Sequence, residues 1–173
     1  MFILGHVGIA TGAAHSVSPR ADLRVVAFAA LLPDIVDKSC ALLVPGFMNG
    51  WTRGVAHSVT GVAVFALLAI LKWRWKAFPV ILGYASHLVL DRMWEEPRIL
   101  FWPFEGIWFP PYPFDHVELW WQKLSDVWTI SGEVIGATII ASFLARARLR
   151  EPEQRRAFLT TGRIPEPADT VSS

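Results

Sequence analysis

The sequence predicts an all-α protein, a compact bundle of about five transmembrane helices. Three observations predict it. The 173 residues are 53% hydrophobic and only 18% charged, where a soluble domain carries roughly 25% charged residues. Mean hydropathy is +0.39, and nine residues are tryptophan, a side chain that collects at membrane–water boundaries. Apolar stretches punctuated by Pro, Gly and basic residues divide the chain, several of them shorter than the ~20 residues that cross a bilayer squarely. Some helices are therefore expected to span incompletely. One domain is expected over residues 1–150, with a polar, disordered cytoplasmic tail at 151–173. Cys40 is the single cysteine, which excludes an intrachain disulfide. The net charge of +1 says little by itself, and no nucleic-acid partner is expected. The expected partner is the lipid bilayer, and the oligomeric state stays open.

The first helix is expected over Phe2–Val17, which has no charged residue and carries His6 and His15. It lacks the basic start of a signal peptide and is read as retained. Ser18, Pro19 and Arg20 end it. The second runs over Arg24–Val44 and holds the stretch Leu31-Leu32-Pro33-Asp34-Ile35-Val36-Asp37. Pro33 removes a backbone donor, so this helix is expected to kink or restart there. A loop with Arg53 leads to a third apolar span, Val55–Leu71, interrupted only by His57. The basic, aromatic knot Lys72-Trp73-Arg74-Trp75-Lys76 follows. The fourth span, Phe78–Leu90, contains His87 and continues through Asp91. A connection rich in Trp, Phe and Pro occupies 95–126, and Val127–Ala145 is the last apolar span, with Glu133 its one acid.

Charge placement predicts an orientation. The knot carries three basic residues and no acid, and six arginines lie between Arg146 and Arg163. The 95–126 connection carries six acids against two bases. Basic segments favour the cytoplasm, so a multi-pass inner-membrane protein is expected, with knot and C-terminus inside and the connection outside. His6, Asp34, Asp37, His57, His87 and Asp91 then fall at similar depth, toward the outer face.

That convergence carries the chemistry. A carboxylate among apolar residues is costly unless it is paired or ligates a metal. Asp34 and Asp37, three apart, share a helix face, as do His87 and Asp91, four apart. Imidazole and carboxylate at these spacings chelate one ion, or the carboxylate orients the imidazole. Arg53 brings a fork suited to a phosphate. Lys38 is expected to neutralise Asp34 or Asp37, and Glu133 to support the site from behind. His15 is read as structural, and Asp115, His116 and Glu118 as loop residues. The tryptophans from Trp102 to Trp128 are read as an interfacial belt.

Gly5-His6, Leu31-Leu32-Pro33-Asp34, Arg53-Gly54 with His57-Ser58, Gly83 with Ser86-His87 and Asp91, and Phe101-Trp102-Pro103 resemble, in order and spacing, the membrane-bound metal-dependent hydrolases. That family includes a LexA-regulated inner-membrane protein and is distantly similar to zinc-dependent phospholipase C. The resemblance covers about residues 5–110. It implies metal ligation by Asp34, His57, His87 and Asp91, with His6 matching an N-terminal histidine. Asp37 departs from the family's spacing of two, and Thr52 stands where many members have a histidine.

The expected site is thus His6, Asp34, Asp37, His57, His87 and Asp91 around one or two divalent ions. Zn²⁺ suits these ligands best, with Mn²⁺ or Fe²⁺ as alternatives. Arg53 and Asp37 are the expected catalytic residues. The expected activity is hydrolysis of a phosphoester or other ester in a lipid-borne or phosphorylated substrate, by metal-activated water. Two other classes compete. An ion- or proton-coupled transporter calls for polar residues across the whole membrane depth, whereas the inner halves of these helices are nearly bare. A non-catalytic, metal-stabilised scaffold requires only the ligands.

Overall fold

A computed structural model describes residues 2–44, 46–74, 77–109, 111, 116–146 and 151–164, and every regular element among them is helical. The α-helices are α1 (Ile3–Val17), α2 (Leu23–Leu43), α3 (Val59–Trp73), α4 (Ala77–Leu90), α5 (Pro97–Leu100), α6 (His116–Ser125), α7 (Val127–Arg146) and α8 (Pro152–Thr161). The five expected helices are present as α1–α4 and α7. The connection at 95–126 adds α5 and α6, and the tail expected to be disordered contains α8. Trp75 and Lys76 of the basic knot, Asp115, and the chain beyond Ile164 lie outside the described residues.

Three local differences from the sequence expectation have physical causes. First, α2 does not restart at Pro33. The ring is fully buried, and the helix packs along α4 on both sides of it, which outweighs one missing backbone bond. Second, His57 precedes its helix, in a 3-10 turn over Val55–His57. Ser58 starts α3 instead, its hydroxyl accepting from the Gly61 N–H at 3.0 Å as an N-cap. Third, α8 is bounded by Pro152 at its start and by Gly162 at φ +69° at its end, the usual asymmetry of helix termini. It docks on the start of α2, where the Leu23 N–H donates to the Gly162 carbonyl at 2.8 Å. Arg24 donates there to the carbonyls of Leu159 and Thr160.

The packing is built on small residues. Ala10, Ala14, Ala21, Val26 and Ala30 form a buried seam between α1 and α2. Gly8 of α1 lies directly on Gly136 of α7, where a Cβ on either would overlap the facing backbone. Gly8/Gly12 and Gly132/Gly136 are both Gly-x-x-x-Gly pairs, the pattern that lets helices approach closely within lipid. Gly83 similarly brings α4 onto the α2 backbone at Val26 and Ala30. A second core of Met48, Tyr84, Leu88, Met93, Ile99 and Phe109 supports the other end of α4.

Large apolar side chains face outward. On α3, Val64, Leu67, Leu68, Ile70 and Leu71 are exposed, and on α7 Val134, Ile135 and Leu144. Among the described helices α7 alone is long and apolar enough to cross a membrane, whereas α3 and α4 have 15 and 14 residues. Between α2 and α3 a cavity of about 1080 Å³ is lined by Phe28, Leu32, Phe65 and Leu68, together with Arg24 and Lys72. These two cations and α8 therefore lie at one end of the bundle. His6, near the start of α1, and Asp91, just past the end of α4, lie at the other.

Candidate metal centre

Four elements deliver the polar cluster: α1 brings His6, α2 brings Asp34 and Asp37, the 3-10 turn brings His57, and the end of α4 brings His87 and Asp91. All three histidines are at most 1% exposed. Asp91 lies just past the last residue of α4, yet its N–H still donates to the His87 carbonyl at 2.9 Å. The two side chains therefore keep the one-turn register expected of them.

The inner face of the cluster is made by imidazole nitrogens whose opposite edges are already committed. His57 Nδ1 lies 2.7 Å from Asp37 Oδ2, and His87 Nδ1 lies 2.6 Å from the Ala30 carbonyl. Both partners are acceptors, so each neutral ring carries its proton on Nδ1 and presents a lone pair at Nε2. Those two Nε2 atoms face one another at 3.1 Å. Two lone pairs held that close repel unless a proton or a metal ion joins them. Asp34 Oδ1 stands 3.6 Å from His57 Nε2 and 4.0 Å from His87 Nε2. Asp91 Oδ2 stands 3.9 Å from both. Ligands at ~2.1 Å around a tetrahedral ion are themselves about 3.4 Å apart, which this spacing approaches.

His6 completes the cluster. Its ring stacks on His87 with centroids 3.9 Å apart and planes 15° from parallel. Its Nε2 is 3.2 Å from Asp91 Oδ1, and among the described residues neither ring nitrogen has a geometrically regular hydrogen bond. A fully buried imidazole without a hydrogen bond is costly, and ligation by a metal relieves the cost. Two candidate ligand sets result, His6/His87/Asp91 and Asp34/His57/His87, each with its ligand atoms within 4.8 Å of one another. His87 belongs to both. Its one free nitrogen can serve one ion only, so the two sets are alternatives around His87, and the donor chemistry fits a divalent ion in either.

Asp37, expected as a ligand and a catalytic residue, is placed differently. Its Oδ2 accepts from the Gly54 N–H at 2.6 Å and the His57 N–H at 3.1 Å, and its Oδ1 from the Ala56 N–H at 3.0 Å. With His57 Nδ1 added, both oxygens are occupied on the far side of the imidazole. Asp37 folds the 54–57 turn and sets the tautomer of His57, which is a positioning role. The residues that deliver those amides have no sequence signature, because a backbone N–H is the same in every residue but proline.

Arg53 does reach the cluster, with Nη2 at 2.9 Å from Asp91 Oδ2. Lys38 pairs with Asp34 Oδ2 at 2.7 Å. Glu133 supports from behind, as its Oε1 accepts from the Phe2 and Gly5 N–H groups at 2.9 Å each. It thereby caps the start of α1 from α7 and holds the turn that carries His6. His15 sits away from the site against Phe143, edge to face at 5.3 Å. The Trp128 indole donates to the Leu90 carbonyl at 2.9 Å, tying α7 to the end of α4.

The profile of the YdjM inner membrane protein family matches residues 1–159. No curated protein and no solved structure matches the chain.

Proposed function

We propose that this chain, which belongs to the YdjM inner membrane protein family, is a multi-pass, metal-dependent hydrolase acting on a phosphoester or related ester of a lipid-borne substrate. One observation carries the reading: the Nε2 atoms of His57 and His87 face each other at 3.1 Å with both Nδ1 atoms committed. Asp34, His57, His87, Asp91 and His6 are the residues that would hold the ion. Zn²⁺ suits the set best, with Mn²⁺ or Fe²⁺ as alternatives. A bound divalent ion supplies Lewis-acid polarisation and activates water near neutral pH.

The chain's own residues supply the rest. Asp37 keeps the proton of His57 on Nδ1, leaving Nε2 free to ligate. The Ala30 carbonyl does the same for His87. Lys38 balances part of the charge on Asp34. Arg53, one-fifth exposed beside Asp91, offers the rest of its guanidinium to an anionic group and orients it toward the cluster. The three histidines are buried, whereas the Arg53 and Asp34 side chains are 22% and 20% exposed, so water reaches the cluster at those two residues.

The test is metal analysis of the detergent-purified protein, with hydrolysis of dihexanoyl-phosphatidic acid and of a chromogenic phosphodiester. One equivalent of metal and measurable turnover are expected. Arg53→Ala should keep the metal and lose about 10–100-fold in turnover, the value of one to two charge-assisted hydrogen bonds. Metal without turnover on any phosphoester would leave the scaffold reading, and no metal at all would end the hydrolase reading.

The orientation follows the charges. Arg24, Lys72 and α8 share one end of the bundle and the metal cluster occupies the other, which supports an inside C-terminus and an outward-facing site. In a Cys40→Ser background, a cysteine at Pro111 should label in intact cells with an impermeant maleimide, and one at Arg155 should not. The reverse pattern would turn the site to the cytoplasm.

A further inference from the structure

Beside the cluster lies a second, polar cavity of about 290 Å³, lined by Arg53, Asp91, Arg92, Glu95, Lys123 and Asp126 among others. Its charges are nearly all matched. Arg53 pairs with Asp91 at 2.9 Å, and Arg92 with Glu95 at 3.5 Å and Asp126 at 3.8 Å. Lys123 is the exception: it makes no ion pair with a described carboxylate. It is nonetheless half-buried, and its ammonium is pushed below its ordinary range by burial first and by the nearby Arg53 guanidinium next. Arg53 and Lys123 thus present two cationic side chains to one cavity, and Lys123 has no carboxylate at ion-pair distance among the described residues, although Asp91 and Asp34 are near enough to favour its charge.

Helix α6 explains how the lysine comes to be there. Val117, Trp121 and Leu124, at i, i+4 and i+7, are exposed and form one apolar stripe. Gln122 and Lys123, on the flanks away from that stripe, both line the cavity. An amphipathic helix of this kind rests in the membrane–water boundary with its stripe in lipid. Lys123 is then held at headgroup level, in the cavity it shares with Arg53 and Asp91.

We infer that Lys123 and Arg53 form a phosphoryl-binding subsite in this cavity, with α6 as the interfacial element that presents it. This rests on the proposed hydrolase reading for its purpose, but not for its existence. The shared chemistry is a phosphoryl anion, which a lipid headgroup or free phosphate would both offer. Lys123 is the residue that adds specificity, because Arg53 is already partly engaged by Asp91.

The experiment is binding of inorganic phosphate and of dihexanoyl-phosphatidic acid by calorimetry, on the full chain in detergent, both metal-loaded and after chelation. Lys123→Met should weaken both ligands at least tenfold with unchanged helicity and metal content, and Lys123→Arg should restore most of the affinity. Tighter binding of the phosphatidic acid would assign the subsite to a lipid headgroup, and equal binding to free phosphate. If the wild type binds neither ligand, or if Lys123→Met binds both as the wild type does, the subsite is wrong. Phosphate binding that survives chelation and depends on Lys123 supports the subsite even where the metal reading fails. Metal uptake without such binding removes the subsite alone.

Discussion

Replacing His87 by alanine is expected to abolish metal binding altogether. His87 is the one residue common to both candidate ligand sets, so no alternative set survives its loss. Its removal also leaves the Ala30 carbonyl without its side-chain donor and His6 without its stacking partner. Metal analysis by mass spectrometry reads the result, and circular dichroism checks that the helices persist. Asp37→Asn is the contrast, since Asp37 touches only the outer edge of His57 and the amides of the turn. Its loss should cost about 10–100-fold in metal affinity, the range for a residue that orients a ligand. If Asp37→Asn empties the site as completely as His87→Ala, Asp37 is a ligand after all. If His87→Ala keeps a full equivalent, the cluster is a hydrogen-bonded histidine core.

Gly136→Leu is expected to prevent stable folding. A Cβ at Gly136 already overlaps the Leu4 carbonyl and the Gly5 Cα, and these are backbone atoms with no rotamer to yield. Ordinary overpacking in a core costs about 1–3 kcal/mol because side chains can move aside. Here α1 as a whole must move off α7, so the cost should exceed that range. The displacement also reaches the site. Glu133, on the same helix as Gly136, caps the turn that holds His6, so any folded fraction should bind metal less tightly. Thermal unfolding in detergent measures the effect. The exposed Val134→Ala on the same helix serves as control and should stay within about 0.5 kcal/mol of wild type. A Gly136→Leu protein with an unchanged midpoint would mean that the close α1–α7 contact is not what holds the bundle together.

Much of this was legible in the residues themselves. The apolar spans at 2–17, 24–44, 78–90 and 127–145 correspond to helices because their length and composition leave little else. The one-turn spacing of His87 and Asp91 stacks them whatever packs around the helix. The charge pattern that sets basic residues against the polar cluster matches the bundle, in which Arg24, Lys72 and α8 sit opposite the histidines. The residue types mark His57 as a ligand candidate, and its apolar surroundings predict a helix for it. The apolar run extends through it, and only the Ser58 cap and the Asp37 contacts turn residues 55–57 away from the helix.

Residue types and spacing show that His6, Asp34, Asp37, His57, His87 and Asp91 are too polar for their surroundings and need partners. Which partner each receives depends on how the helices pack. Asp34 and Asp37 are near-identical by sequence, both in α2 and three residues apart. Yet one faces two imidazoles and the other a turn of backbone amides, because helical spacing sets the direction of a side chain but not what stands in that direction. The same holds for Lys123 over the cavity and for Gly136 against Leu4. Each takes its role from a neighbour far away in the chain, and that contact is set by packing, which no local pattern encodes.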